Sequence, residues 1–323
     1  RGPQSSVYGK NTPAGVISII TKKPQREFGL DLEQTIGDYS ARITRGSVTG
    51  PINESVSYRV SGNYNSRDGY IDNVQENRDS VNDRDRYALR GQLLVEPSDE
   101  LSIRIIADTA SITEDCCGAP FFFNLPANAA RTTALGATLL PDNIYNREIK
   151  FDRALETDQE QSGFSAQVDW EHDSFTFTSL SALRDFEETN DIDADFIDIE
   201  LSGVLQNSVD RQVITQEFRL QSIGDNGFDW LVGYYYYDAD QNTSAVNRLG
   251  NFARPFFDLA IGGIVTAVEG LKGAEAGSYI SSGTGRQSDF DLLPTSHSVF
   301  GKLDWHINDR LTASLGARWT TED

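Results

Sequence analysis

The sequence predicts an all-β protein, a transmembrane antiparallel β-barrel with about 11 strands in this chain. Three observations predict this fold class. Segments alternate apolar with polar residues, the connections between them are short and long in turn, and there is no apolar run of about 18 residues, the length that a transmembrane helix needs.

The clearest alternation covers residues 56–65, where Val56, Tyr58 and Val60 share one face and Ser57 and Arg59 share the other. The same pattern recurs in five further segments: 87–96, 101–108, 164–170, 299–305 and 311–319. Each segment therefore presents one apolar and one polar face.

The connections differ systematically at the two ends of these segments. Tight-turn residues form the short ones, at 50–54, 97–100, 172–174, 224–227 and 308–310. The long ones cover roughly 69–84, 114–160, 188–210 and 242–294, and only the first hairpin, at Gly37 and Asp38, is short on the long-loop side. A soluble sandwich also alternates, but short turns at one end and long loops at the other are typical of outer-membrane barrels.

The first 24 residues form the most distinctive motif. Glycine, proline and asparagine punctuate residues 1–15, and the apolar run 16–20 that follows is expected to form a strand buried on both faces. The ordered string resembles the end of the plug domain in TonB-dependent outer-membrane receptors, although Ser5 and Ser6 stand where a Gly-Thr pair is commoner. The residues that carry this plug motif are Arg1, Gly2, Pro3, Gly9 and Gly15.

The resemblance extends to residues 61–73, 215–220 and 315–319, which look like barrel strands of these receptors. It implies two domains, the C-terminal end of a plug at 1–24 and the N-terminal half of a transmembrane β-barrel at 25–323, with about 11 of about 22 strands present. Because the chain has no methionine and opens inside a motif, we expect it to be an internal part of a longer protein.

The resemblance also implies a location in the outer membrane of a Gram-negative bacterium and energised uptake of a scarce nutrient, with a ferric siderophore as the family's default. The implied partners are the TonB complex, through a segment missing here, and outer-membrane lipid. Haem, cobalamin or an oligosaccharide are alternative ligands. A passive porin-like or adhesive barrel, and a secreted β-rich carbohydrate-active enzyme, are the alternative functions.

The net charge of −21 argues against nucleic acid as a partner, because phosphate is bound by clustered lysine and arginine. The acidic run 185–200 indicates a solvated loop or a divalent cation site. The spacing of Asp191, Asp193 and Asp195 lacks the glycine and distal glutamate of a calcium loop, with Phe196 and Ser202 in their places. We therefore predict no metal site.

No catalytic motif is recognisable around the three histidines, so we predict that the protein is not an enzyme and holds no cofactor. Cys116 and Cys117 are adjacent, with α-carbons about 3.8 Å apart across a trans peptide, so a vicinal disulfide or a free thiol pair are both open. Candidate ligand contacts are loop aromatics, whose plainer role is packing loops together: Phe121, Phe122, Phe123, Phe256 and Phe257.

Overall fold

Strands make up most of the structure, a computed structural model that describes residues 14–75, 80–223 and 227–323. The strands are β1 (Gly29–Ile36), β2 (Arg42–Pro51), β3 (Val56–Arg67), β4 (Asp72–Asn73), β5 (Arg84–Ser98), β6 (Leu101–Glu114), β7 (Glu148–Ile149), β8 (Glu156–His172), β9 (Phe175–Asp191), β10 (Ser202–Ser222), β11 (Phe228–Leu249), β12 (Gly285–Leu292), β13 (Thr295–Asn308) and β14 (Leu311–Glu322). Among the described residues, eleven strands pair in chain order within one sheet, and each pairing is antiparallel. The predicted all-β fold and its strand number are confirmed.

Three strands lie outside that path. The first is β12, which pairs with one part of an edge of β11. The strand β13, which is on the path, pairs with the rest of the same edge. The two-residue strands β4 and β7 pair with each other in parallel. The described helices are short: α1 (Pro126–Ala134), α2 (Ala253–Ile261) and α3 (Ile264–Lys272). None of these described helices is long and apolar enough to cross a membrane.

The predicted turns at 50–54, 97–100, 172–174 and 308–310 match the strand ends, whereas most of the one at 224–227 lies outside the described residues. Short turns join β2 to β3, β5 to β6, β8 to β9 and β13 to β14, and the first hairpin closes through a bond from Gly37 N to Ala41 O of 3.0 Å. Two long loops are shorter than expected, because β9, β10 and β11 continue and leave only 192–201 and 250–284 as connections. These extensions carry polar residues on both faces, so hydropathy gave no sign of them, although the backbone ladder continues.

Burial on the sheet is opposite to that of a water-soluble protein. Polar side chains of one face are covered, with Ser57 and Arg59 only 2% and 4% exposed. Apolar side chains of the other face are open, with Val299 51% and Leu315 72% exposed. Such a face is stable only against an apolar surrounding.

Aromatic rings gather near the short turns. The ring centroids of Trp170 and Phe175 lie 5.9 Å apart across the β8–β9 turn. The rings of Phe228 on β11 and Trp305 on β13 stack with their centroids 5.9 Å apart. Aromatic residues at the rim of an apolar band are typical of the membrane–water interface. Cross-strand pairs of this kind each contribute roughly 0.2–1 kcal/mol.

The long loops have cores of their own. One cluster consists of Ile71, Val81, Ile149, Phe151 and Leu155, and Ile192 and Phe196 of the connection 192–201 pack against it. A second cluster packs Ala137 against Ile197 and Ile199. The same loop layer carries the vicinal disulfide between Cys116 and Cys117. The loops thus form a packed layer at one end of the sheet.

One buried ion pair fastens the helical loop. Glu269 is 1% exposed and accepts a 2.6 Å hydrogen bond from Arg254 Nη1, and it also accepts the backbone amides of Gly277 (3.0 Å) and Tyr279 (2.7 Å). The Arg254 guanidinium is the main cause that lowers the pKa of Glu269 to about 2, and the two amides add to it. The pair holds α2, α3 and the chain after them together.

We predict that Glu269→Gln loosens residues 253–284. A carboxyl whose pKa is lowered on folding contributes stability above its ordinary pKa of about 4.5, and that stability is lost as pH falls towards 2. A nitroxide on Ala276→Cys measures this: the wild-type label becomes progressively more mobile as pH falls from about 4.5 towards 2, whereas in Glu269→Gln it is mobile at pH 7.

The matched control is Asp258→Asn, which removes the more exposed partner of Arg254 and should change the mobility of the label less. An equally immobile label in Glu269→Gln at pH 7 would show that the pair does not fasten the loop.

Candidate functional site

The polar face of the sheet holds a cleft of about 740 Å³. Its charged lining residues are Lys22, Asp31, Glu33, Arg45, Arg90, Asp108 and Arg184. Asp108 forms ion pairs with Arg184 at 2.7 Å and with Arg90 at 3.6 Å. Arg45 forms an ion pair with Glu33 at 3.1 Å. The charged side chains that line the cleft therefore pair mostly with partners on other strands. We call this polar, charged face of the sheet the wall.

An irregular segment, residues 14–25, is held against this face near its end, at residues 21–23, by side chains of β3, β5 and β6. Arg59 Nε donates to Lys23 O at 3.2 Å, Gln92 Nε2 donates to Lys22 O at 3.3 Å, and Arg104 Nη2 donates to the Thr21 hydroxyl at 2.9 Å. We call these three wall residues the anchor. Each anchor side chain reaches a group of the segment that has no strand partner.

The anchor is also bonded within itself. Arg104 donates to Gln92 Oε1 at 2.6 Å, and Arg59 donates to Ser47 Oγ at 3.0 Å. Arg59 and Gln92 are each only 4% exposed, so water does not take over their hydrogen bonds while the segment is in place. A hydrogen bond to a charged group contributes roughly 1.5–3 kcal/mol, and an unpaired buried one costs a similar amount.

The expectation of a buried strand at 16–20 is wrong. These residues have no regular secondary structure, and Ile17, Ile19 and Ile20 are 91%, 87% and 85% exposed. No described strand pairs with this segment, so neither a backbone ladder nor a covering layer is available to it. Of the plug-motif residues, Gly15 is described and has a φ of +135°, a conformation that favours glycine. Arg1, Gly2, Pro3 and Gly9 lie outside the described residues, so the plug motif stays a prediction.

The candidate ligand-contacting aromatics lie in the loop layer, in two separate places. Phe122 and Phe123 are 80% and 57% exposed in the connection after the disulfide, whereas the neighbouring Phe121 lines a narrow pocket in the loop layer. Phe256 and Phe257 lie on α2 with their rings 6.0 Å apart. In the described part of the chain no ring contact joins the two sets, so their joint role in binding stays a prediction.

Towards the long loops the same sheet becomes strongly acidic. A second cleft, of about 380 Å³, is lined by the carboxylates of Glu187, Glu188, Asp210, Asp289 and Asp291. None of the described residues that line it is basic. A negative potential in this region disfavours anions and attracts cations.

Three further carboxylates converge inside the loop layer. One oxygen from each of Asp152, Asp193 and Asp195 lies within 4.8 Å of one from each of the other two. Burial is the main cause that raises the pKa of both Asp152 and Asp195 to about 7, and the charge of Asp193 adds to it. The two raised pKa values mark a place where negative charge is concentrated.

Sequence reasoning missed the anchor and Asp152. Arg59, Gln92 and Arg104 occupy polar positions of alternating segments, and an arginine at such a position was the available signal. Nothing in the local sequence links Asp152 to the run at 191–195, because the two meet only through the packing of two loops.

Comparison with known proteins gives sequence and structural matches. No model of a known protein family matches the chain. The ferrioxamine B receptor of Salmonella typhimurium is 29% identical over 109 residues, 33% of this chain and 14% of that protein. The ferrioxamine receptor of Yersinia enterocolitica is 27% identical over 108 residues, again 33% and 14% of the two lengths. The matches thus span about a seventh of these curated relatives.

Structural similarity covers the whole chain. The crystal structure of the ferric yersiniabactin uptake receptor FyuA from Yersinia pestis matches with a TM-score of 0.76 and 15% identity, over 100% of this chain and 43% of that one. At this identity the likeness shows a shared fold. The relatives are receptors, in agreement with the prediction that the chain is not an enzyme.

The sequence matches, the shared fold and the apolar outer face of the sheet agree with one another. They agree with the resemblance stated from the sequence: the chain is similar to TonB-dependent outer-membrane receptors, and its location is the outer membrane of a Gram-negative bacterium.

Proposed function

We propose that the chain is part of a receptor that takes up a ferric siderophore across the outer membrane, driven by the TonB complex through a segment outside this sequence. Residues 1–24 then form the end of the plug and residues 25–323 the first half of the barrel. The observation that carries this proposal is the segment 14–25, which lies on a polar, charged face of a sheet whose other face is apolar and open.

The anchor suits a plug that is stable at rest and yields on demand. Its contacts with the segment are a few polar bonds, to Thr21, Lys22 and Lys23, rather than a continuous ladder or an apolar interface. Once water enters, bonds to water replace polar bonds of this kind, so that breaking each one costs only roughly 1.5–3 kcal/mol. Force applied to the plug is therefore able to release it bond by bond.

The charge of the sheet favours one kind of chelate. The acidic cleft around Asp210 and Asp289 lies on strands that extend into the loop layer, and the whole chain carries a net charge of −21. We propose that the ligand is a ferric siderophore with neutral or positive net charge, since an anionic chelate would be repelled there. Haem, cobalamin and oligosaccharides remain the alternative ligands.

Uptake of iron-loaded siderophores tests the proposal. Iron-starved cells that carry the full-length gene are supplied with radiolabelled iron on neutral, cationic or anionic siderophores, with and without a protonophore. We expect accumulation of a neutral or cationic chelate that the protonophore abolishes.

Entry that the protonophore leaves unchanged would contradict energised transport and indicate a passive pore. Preference for an anionic chelate would contradict the charge argument alone. Absence of uptake for every chelate, together with uptake of haem, cobalamin or a glycan, would overturn the siderophore assignment.

A second prediction concerns the anchor. Arg104→Ala removes the bond to Thr21 and the support of Gln92, so we expect the segment 14–25 to open more often. A loss of roughly 1.5–3 kcal/mol corresponds to hydrogen exchange about tenfold to a hundredfold faster at the Gln25 amide, which donates to the Thr49 hydroxyl at 2.9 Å, measured on the purified full-length receptor by mass spectrometry of peptides that end on either side of it.

Arg45→Ala is the matched control, because Arg45 lines the same cleft but pairs with Glu33. Exchange at the Gln25 amide should stay at the wild-type rate in this variant. Equal exchange rates in the wild type and in Arg104→Ala would show that the anchor does not hold the segment.

A further inference from the structure

We propose that Asp152, Asp193 and Asp195 form a binding site for a divalent cation with oxygen ligands, of which Ca²⁺ fits best. The site lies in the loop layer, between the connection that precedes β8 and the connection 192–201. It is independent of the proposed uptake function, and it replaces the prediction of no metal site that the spacing at 191–195 suggested.

The first observation is the convergence of the three carboxylates. One oxygen of each lies within 4.8 Å of an oxygen of the other two. Oxygens that share one Ca²⁺ at about 2.3–2.6 Å lie at most about 5.2 Å apart, so the observed spacing is compatible with a shared cation. Without a cation the same arrangement brings like charges together, which is costly in a partly buried place.

The second observation is an oxygen of Asp193 that has no partner. Asp193 is 1% exposed, and its Oδ1 accepts the backbone amides of Asp195 at 3.1 Å and Phe196 at 2.9 Å. Its Oδ2 is fully covered and has no hydrogen-bond partner. The amide bonds explain the shape of the loop, but they leave Oδ2 unexplained, since a buried carboxylate oxygen is normally satisfied.

Basic side chains nearby are committed to other carboxylates. Lys150 pairs with Asp198 at 2.8 Å. Arg153 donates from Nε to Asp191 at 2.9 Å and also bonds the carbonyl of Gly203. The hydrogen bonds of Lys150 and Arg153 therefore go to groups outside the cluster, while the charge of Arg153 acts on Asp152 and Asp193 from the rim.

The donor set favours a hard cation. Carboxylate oxygens suit Ca²⁺ and Mg²⁺, whereas zinc and copper prefer sulfur or imidazole. Both oxygens of Asp195 already accept backbone amides, from Ile197 at 3.2 Å and Ser202 at 2.6 Å. An irregular shell completed by water suits Ca²⁺ better than Mg²⁺, which demands near-ideal octahedral geometry.

The position of the site determines how a cation reaches it and what a bound cation does to the loop layer. Asp152 and Asp195 are only half-buried, so a cation has a path to the covered oxygen of Asp193. The amide of Asp152 donates to Ile197 O at 3.2 Å, so the two connections already touch. A bound cation would join them at a second point and hold the loop layer in place.

Calorimetric titration tests the proposal. The full-length receptor, purified in detergent and stripped with a chelator, is titrated with CaCl₂ and separately with MgCl₂. We expect one Ca²⁺ per chain with a dissociation constant of about 10⁻⁴–10⁻³ M or tighter, in the range of extracellular calcium modules, and weaker binding of Mg²⁺.

Asp193→Asn keeps the amide-accepting oxygen and removes the charge, and we expect it to weaken Ca²⁺ binding at least tenfold. Asp152→Asn, on the other connection, is a second removal that should act in the same direction. Asp198→Asn is the matched control in the same loop, since Asp198 pairs with Lys150, and its affinity should stay within about twofold of the wild type.

Three results would overturn the site. They are the absence of Ca²⁺ binding by the wild type, an affinity that Asp193→Asn and Asp152→Asn leave unchanged, and an equal loss of affinity in Asp198→Asn. The first would mean that a proton shared between carboxyls satisfies the cluster. The last would mean that binding is diffuse attraction to an acidic loop.

Discussion

The structure depends on a sheet whose two faces contact different solvents. A backbone in hydrocarbon must satisfy its own hydrogen bonds, and the nine strands between β1 and β14 do so by pairing on both sides, with β1 and β14 as the edges of the described sheet. Their outward residues, such as Leu315 and Trp319, are apolar and exposed, while Ser57 and Ser298 on the other face are covered. This inversion fixes where lipid, water and ligand are found.

A covered polar face is stable only if its groups are paired. Asp108 shows one solution, because arginines of two other strands neutralise it across the wall. The anchor shows another, in which Arg59 and Gln92 bond the backbone of a segment that is not part of the sheet. The polar face therefore binds the segment 14–25 of the same chain, and it does so through hydrogen bonds that water is able to replace. In this way a structural need of the sheet supplies a closed resting state for the proposed transporter.

The loop layer follows different rules from the wall. It has apolar clusters, around Phe151 and around Ile197, and a buried ion pair between Arg254 and Glu269. These features are those of a small water-soluble protein, because the loops face water on the outside. The acidic clusters of the same layer are the main source of negative potential near the path of a ligand. The apolar clusters, the proposed selection of ligands by charge and the proposed cation site thus all lie in the loop layer.

Sequence alone gave the strands of the wall, because residue alternation reports directly on a sheet with two different solvents. It also gave the tight turns, because proline, glycine and asparagine, which favour turns, occur at them. It missed the outer parts of β10 and β11, which are polar on both faces. It also missed the contact of Asp152 with Asp193, which depends on how two loops pack, and it placed 16–20 in a strand for which no described partner exists.

The most direct test of the two-solvent sheet is a nitroxide scan along β13 in the full-length receptor, reconstituted in lipid. Oxygen dissolves preferentially in the bilayer, so its collision rate with each label reports exposure to lipid. We expect a period of two, with high oxygen accessibility at Val299 and Leu303 and low accessibility at Ser298 and Lys302. A flat profile, or maxima at Ser298 and Lys302, would contradict the claim that the apolar face contacts lipid and the polar face lines the interior.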